Sequence, residues 1–177
     1  MCKMVEYWDV YDENGNKTGR LHERGKPMRK GEYHLVVHVW ILNKKREFLI
    51  TKRAPGTGDI ADLWQTTGGC AVSGDNSLTT VLKETAEETG IVLNPDNGRL
   101  LKRFTQAHFD DDGHSFCDVW LFKQDFNISS VVLQPGETCG AMWANSKKII
   151  EMMNDGIFIP IELYPYIYEL FENPEVK

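Results

Sequence analysis

The amino-acid sequence predicts an α/β domain whose sheet is covered by helices on both faces. Three observations carry that reading. The run His34-Leu-Val-Val-His-Val-Trp-Ile-Leu42 is apolar and rich in β-branched residues, as a central strand is. Residues 76–89 place Leu78, Val81, Leu82 and Thr85 at helical spacing, an apolar stripe fit to pack on a sheet. Strand-like segments lie on either side of this helix and of further helical segments near the C-terminus, and such an order calls for a sheet between layers.

The elements follow in order along the chain. Val5, Tyr7, Asp9 and Tyr11 alternate with Glu6, Trp8 and Val10, which suits a strand, and Asp12-Glu-Asn-Gly-Asn-Lys17 has the chemistry of a hairpin turn. The central strand over 34–42 ends at the exposed turn Asn43-Lys-Lys-Arg46, and Phe48–Lys52 returns as its neighbour. Ala54–Asp62 is a loop by its Gly and Pro content, and Trp64–Thr67 is a short strand. Asn76 or Ser77 can cap the helix that follows, and Gly90 stands where a left-handed stop belongs. Pro95-Asp-Asn-Gly98 turns the chain into strands over 99–108 and 115–123, joined by Asp110-Asp-Asp-Gly113. A last strand over Cys139–Ala144 precedes a helix capped by Ser146, running to about Asn154 and ended by Gly156. A closing helix is expected over Pro160–Phe171, kinked or split by Pro165. The whole reads as one domain over residues 1–177, with a hairpin over 1–30, a core over 31–160 and a C-terminal helix over 160–172.

Composition narrows the function. A hydrophobic content of 41% and a charged content of 26% are those of an ordinary globular protein. The net charge of −6, with no basic stripe, argues against a nucleic-acid partner. No apolar run of about 18 residues occurs, and residues 1–20 lack the apolar core of a signal peptide, so no membrane partner is expected. Cys2, Cys70, Cys117 and Cys139 show no paired spacing, which suits free thiols in a reducing cytoplasm.

The strongest chemical signal is the acidic end of the helix. Glu84, Glu87 and Glu88 stand at i, i+3 and i+4, within roughly 100° of arc on one helix face. Like charges so close weaken an isolated helix. A divalent cation relieves that cost, and hard oxygen ligands suit Mg²⁺, Mn²⁺ or Ca²⁺. The plain alternative is a solvated acidic face on an amphipathic helix.

The residues around the cluster decide between the two. From Gly69 to Ile91 the chain resembles the Nudix box, written G-x5-E-x7-R-E-U-x-E-E-x-G-U with U a bulky aliphatic. Gly69, Glu84, Glu87, Glu88, Gly90 and Ile91 match in register without a gap. Asp75 stands in place of the first Glu, Lys83 in place of the Arg and Thr85 in place of an aliphatic. In the family that Glu and Arg pair to brace the loop on the helix; Asp75 and Lys83 keep both charges but lack the guanidinium fork. The likeness extends over residues 33–160, and the N-terminal hairpin with His22-Glu-Arg-Gly25 looks like the subset nearest isopentenyl-diphosphate isomerase. The resemblance implies a Nudix α/β/α sandwich with a mixed sheet between helices.

The resemblance also implies an activity: metal-dependent hydrolysis of the diphosphate linkage of a nucleoside diphosphate derivative by water attack on phosphorus. It assigns Glu84, Glu87 and Glu88 as metal ligands, joined by the Gly69 carbonyl, for Mg²⁺ with Mn²⁺ as the alternative. Glu84 or Glu137 is the candidate base, Glu87 acts in the catalytic set, and Arg53 is the candidate phosphate contact. A loop carboxylate at Glu137 and a surface ion pair at Arg53 are the plain readings of those two. Homodimers are common in the family, so a homodimer is a candidate assembly.

Two other readings compete. One is isopentenyl-diphosphate isomerase, whose catalytic Cys falls on Gly68 here and whose following ligand His falls on Cys70, while its later Glu-x-Glu pair has no counterpart near Ser115–Asp118. The other is a catalytically silent nucleotide-binding module, against which the intact Glu-x-x-Glu-Glu speaks. His34 and His38 share a strand face and suit either a transition-metal pair or packed, hydrogen-bonded roles. The Asp110–Asp112 tip, flanked by His108 and His114, reads as a solvated hairpin, with a substrate lid or a second ion site as the alternative. Trp8, Trp64, Phe109 and Trp120 are candidates to stack on a base, or core residues.

Overall fold

A computed structural model of the chain describes residues 5–107, 114–173 and 175–176. The tip with His108, Phe109 and Asp110–Asp112 lies outside them, as does Cys2. Strands β1 (Tyr7–Tyr11) and β2 (Lys17–Glu23) form the N-terminal hairpin, closed by an Asp12 carboxylate that accepts from the Asn14 and Asn16 N–H groups at 2.9 Å each. The central strand β3 (Tyr33–Leu42) joins β1 at Tyr11↔Tyr33 and meets β4 (Phe48–Arg53) only at the turn, Leu42↔Phe48. Beyond that turn the two strands take different partners. β6 (Thr67–Cys70) runs antiparallel on one edge of β3, from Val36↔Cys70 to Val39↔Thr67. β8 (His114–Lys123) runs parallel on the other edge over the whole strand, and β7 (Gly98–Ala107) pairs with β8. β4 pairs instead with β5 (Trp64–Gln65) and β9 (Thr138–Ala144). The sheet is therefore mixed, as expected.

The expected short strand at 64–67 is two strands that change partners at Thr66. The Thr66 hydroxyl donates to the Val39 carbonyl, fully buried, where the chain crosses from β4 to β3. Gly68 allows β6 to lie against β3, because a Cβ there would collide with the Val37 carbonyl.

Alternation along β3 sorts its side chains between two layers. Val37, Val39 and Ile41, with Leu49 and Phe122, face helix α1 (Ser77–Thr89) through its fully buried Val81 and the flanking Leu78 and Leu82. Trp40 and Leu42, with Phe48, Ile50, Val119 and Leu121, face α2 (Ser146–Asn154) and the C-terminal segment that carries α3 (Ile167–Glu172). Helices thus cover both faces of a mixed sheet, which is the α/β/α sandwich.

Two expected boundaries move. The helix α2 is capped by Asn145, whose side chain accepts from the Lys148 N–H at 2.9 Å, and Ser146 is its first residue. The closing helix is confined to Ile167–Glu172, after tight turns that include Leu163 N–H to Pro160 C=O and Tyr164 N–H to Ile161 C=O, both 3.0 Å. Pro165 has no N–H to give and biases Tyr164 away from helical backbone, so a regular helix starts only beyond it.

The segment that replaces the helix has a structural task. The Tyr166 hydroxyl accepts from Trp40 Nε1 at 3.0 Å and bonds His38 Nδ1 at 2.7 Å. Burial pushes the His38 pKa down to about 3, so the ring that meets the Tyr166 hydroxyl is neutral. Tyr166→Phe leaves two buried polar atoms unpaired and is expected to cost about 1–3 kcal/mol, read as a lower urea midpoint at unchanged slope. An unchanged midpoint would show that the two atoms find other partners.

Candidate active site

The site is built at one end of α1. Asn76 caps its start, its side chain accepting from the Thr79 N–H at 2.9 Å, and Gly90 closes it in the left-handed conformation at φ 69°. Between the caps, Val81 and Thr85 turn to the sheet, and Glu84 and Glu88 meet β6. Thr85, in the place of an aliphatic, is fully buried. The brace expected of Asp75 and Lys83 is present: Lys83 Nζ lies 2.8 and 2.7 Å from the two Asp75 oxygens.

The three glutamates differ in burial. Glu88 is only 6% exposed, Glu84 is half-buried and Glu87 is exposed. Glu84 lies against Gly69, where a Cβ would collide with its carboxylate, so Gly69 is needed for close approach. Glu88 receives the Gly68 N–H, which draws its pKa down. Its Oε2 is buried with no hydrogen-bond partner. Consecutive glycines of β6 therefore meet consecutive turns of α1.

The loop before β9 closes the cluster from the far side. Val132 N–H donates to the Thr89 carbonyl at 2.8 Å, and the Glu88 carbonyl accepts from Gln134 N–H and the Thr138 hydroxyl, each at 3.2 Å. This docking brings Glu137 close enough to raise the pKa of both Glu84 and Glu88. Arg53 ends β4 opposite Thr138, while the Ala54 N–H donates to the Glu137 carbonyl at 2.8 Å. Arg53 is held by the Thr57 carbonyl at 2.8 Å and by Gln65 Oε1 at 3.4 Å, and its Nε is buried with no partner. Its charge reaches Glu88 and lowers that pKa.

Electrostatics follow from this packing. Burial, then Glu84 and Glu137, push Glu88 up to about 8; the Arg53 charge and the Gly68 N–H oppose the shift. Burial, then Glu87 and Glu137, push Glu84 up to about 7, with Arg24 opposing. Among the described residues no three His, Cys, Asp or Glu side chains converge closely enough to hold an ion as they stand. The donor set nevertheless fits a divalent cation: hard oxygens, an orphaned buried Oε2, and a glycine that clears space for Glu84.

Other expected residues fall elsewhere. His34 is buried and stacks on Trp8 at 4.2 Å between ring centroids, and His38 serves Tyr166, so the two take packed roles. Trp120 donates its indole N–H to Ser77 Oγ at 2.8 Å and packs on the α1 side. Trp64 packs against the core on the α2 side. Cys70, half-buried beside the cluster, has its thiol pushed up to about 11 by burial. Sequence reasoning gave no role to Arg24 and Glu6, whose charges also reach Glu84. The signal that places them is tertiary, the docking of the hairpin on the loop after β6.

A sheet between helices, with buried carboxylates of a Nudix box set against a glycine strand, defines a Nudix-type hydrolase. The NUDIX domain matches residues 32–163, and the chain belongs to that family. It is 32% identical to a Nudix hydrolase of Listeria monocytogenes over 94% of each chain. It is 24% identical to isopentenyl-diphosphate Delta-isomerase 1 of Photorhabdus laumondii, over 82% of this chain and 83% of that one. Among solved structures, DR0079 of Deinococcus radiodurans superposes with a TM-score of 0.74 at 19% identity, over 94% of this chain and 100% of that one. The NUDIX domain of Shewanella oneidensis NrtR, complexed with ADP ribose, gives 0.62 at 18% identity, over 79% and 87%. No helix among the described residues is long and apolar enough to cross a membrane.

Proposed function

We propose that the protein is a divalent-cation-dependent pyrophosphohydrolase acting on the diphosphate linkage of a nucleoside diphosphate derivative. The observation that carries the reading is the buried Glu88, whose orphaned Oε2 lies among Glu84, Glu137 and the Arg53 guanidinium. A buried carboxylate left unpaired is costly unless a ligand completes it. Glu84, Glu87 and Glu88, with the Gly69 carbonyl, would hold Mg²⁺ or Mn²⁺. When bound, the cation neutralises the diphosphate and polarises its P–O bonds. Glu137 or Glu84 then takes the proton of the attacking water. Arg53, braced by Thr57 and Gln65, takes charge that develops on the phosphoryl oxygens. A ligand of this class, ADP ribose, accompanies the Shewanella domain.

The isomerase reading has less support. Gly68 stands where that enzyme's catalytic thiol falls, and a side chain there would strike the Val37 carbonyl. The test is incubation with Mg²⁺ and a panel of nucleoside diphosphate derivatives, following nucleoside monophosphate release. Release that stops on chelation is expected. No turnover on the panel, with conversion of isopentenyl to dimethylallyl diphosphate, would overturn the proposal.

A further inference from the structure

The N-terminal hairpin brings to the carboxylate cluster a cation that the box does not supply. Arg24 follows directly on β2. Its N–H donates to the Glu6 carbonyl at 3.0 Å, and its Nη1 lies 2.6 Å from the Glu6 carboxylate. This end of the hairpin is docked on the loop after β6. Ser73 N–H donates to the Tyr7 carbonyl at 2.7 Å, while Ser73 Oγ and Gly74 N–H donate to the Asp9 carboxylate at 3.1 and 3.0 Å. Lys17 Nζ, 2.6 Å from Asp9, holds that carboxylate in place. The docking brings the Arg24 end of the hairpin to the chain leaving β6, the strand whose Gly69 lies against Glu84, and the Arg24 charge acts on Glu84.

Arg53 stands in the same relation to Glu88, one helical turn along α1 from Glu84. Two guanidinium groups therefore act on the acidic cluster from different elements, Arg53 from β4 and Arg24 from the hairpin. Their surroundings differ. Arg53 is fixed by neutral oxygens, whereas the Arg24 side chain is 58% exposed and paired with a carboxylate that is itself 47% exposed. An exposed ion pair of this kind is worth about 0–1 kcal/mol, so exchange of Glu6 for another anion costs little. A diphosphate presents oxygens on two phosphorus atoms, and a guanidinium fork matches such oxygens in bidentate fashion.

We infer that Arg24 exchanges Glu6 for the phosphate on the hairpin side of the bound diphosphate, and is thus a substrate-binding residue of the site. The inference rests on the hydrolase reading above. Arg24 lies ahead of the matched NUDIX domain, which begins at residue 32.

Steady-state kinetics with Mg²⁺, on the panel substrate that the wild type turns over fastest, tests it with Arg24→Gln, Arg24→Lys and Glu6→Gln. Arg24→Gln is expected to raise KM about tenfold with kcat within about threefold, the mark of uniform binding. Arg24→Lys recovers part of the loss, and Glu6→Gln, which releases the guanidinium, gives a KM equal to or below that of the wild type. An unchanged KM in Arg24→Gln overturns the inference. So does a rise shared by Arg24→Gln and Glu6→Gln with a common drop in Tm, because the pair would then only brace the hairpin. If the wild type turns over nothing on the panel, the hydrolase reading fails instead. Calorimetric binding of inorganic pyrophosphate with Mg²⁺ then decides: about tenfold weaker binding by Arg24→Gln supports the inference. Equal binding, or none by the wild type, overturns it.

Discussion

Glu88→Gln is expected to lower kcat by about 10³-fold or more, since several kcal/mol of charge stabilisation at the phosphoryl group depends on the carboxylates that hold the cation. The same substitution is not expected to unfold the protein. Glu88 is buried, accepts one N–H from Gly68, and leaves Oε2 without a partner. Above about pH 8, where Glu88 is ionised, a neutral amide of the same shape removes a buried charge and its repulsion from Glu84 and Glu137. The variant should therefore melt at or above the wild-type temperature in the presence of chelator at such pH, while its activity is lost. Kinetics and thermal melts on one preparation check both halves. Loss of activity with a lower Tm in chelator would mean that Glu88 supports the fold rather than the site.

Chelated protein is expected to lose stability as pH rises through neutrality, and Mg²⁺ to restore it. The sign follows from proton counts. Glu84 and Glu88 hold their protons up to about 7 and about 8 in the folded chain, against 4.5 for an ordinary glutamate. The folded state thus binds more protons than the unfolded state across that window, and stability falls with pH through it. Below the ordinary carboxyl range both states are protonated and these groups have no effect. A cation that binds the ionised carboxylates reverses the loss by mass action. For a chain of this size, each kcal/mol corresponds to about 2–4 °C in Tm. The rise in Tm on adding Mg²⁺ should accordingly be larger at about pH 8.5 than at about pH 5.5. Equal rises at both pH values would mean that Mg²⁺ binds somewhere other than the buried carboxylates.

The parts of the molecule that sequence makes legible are those decided locally. The α1 helix follows from its stripe, and its caps from Asn76 and Gly90. The box register, Gly69 to Ile91, is a spacing, and the structure brings Glu84 to Gly69 as that spacing requires. Arg53 and Glu137 are legible from their places at a strand end and before the last strand, and the charges of both act on Glu88. What long-range packing decides was not legible. No local pattern marks Thr66 as the point where one strand ends and another begins, because the cause is the Val39 carbonyl on a different strand. Helical propensity alone extends the last helix back to Pro160, whereas the chain spends Tyr164–Tyr166 on burying rings and meeting His38 and Trp40. Arg24 reaches the cluster through Asp9, Ser73 and Gly74, a docking between segments more than sixty residues apart.

Product analysis in ¹⁸O-enriched water tests the central claim most directly. With Mg²⁺ and the fastest panel substrate, water attack on phosphorus places one ¹⁸O on a phosphate product in each turnover, and Glu88→Gln forms almost none of that product. Products without the label, or labelled product formed by Glu88→Gln as fast as by the wild type, would contradict a hydrolase built on these carboxylates.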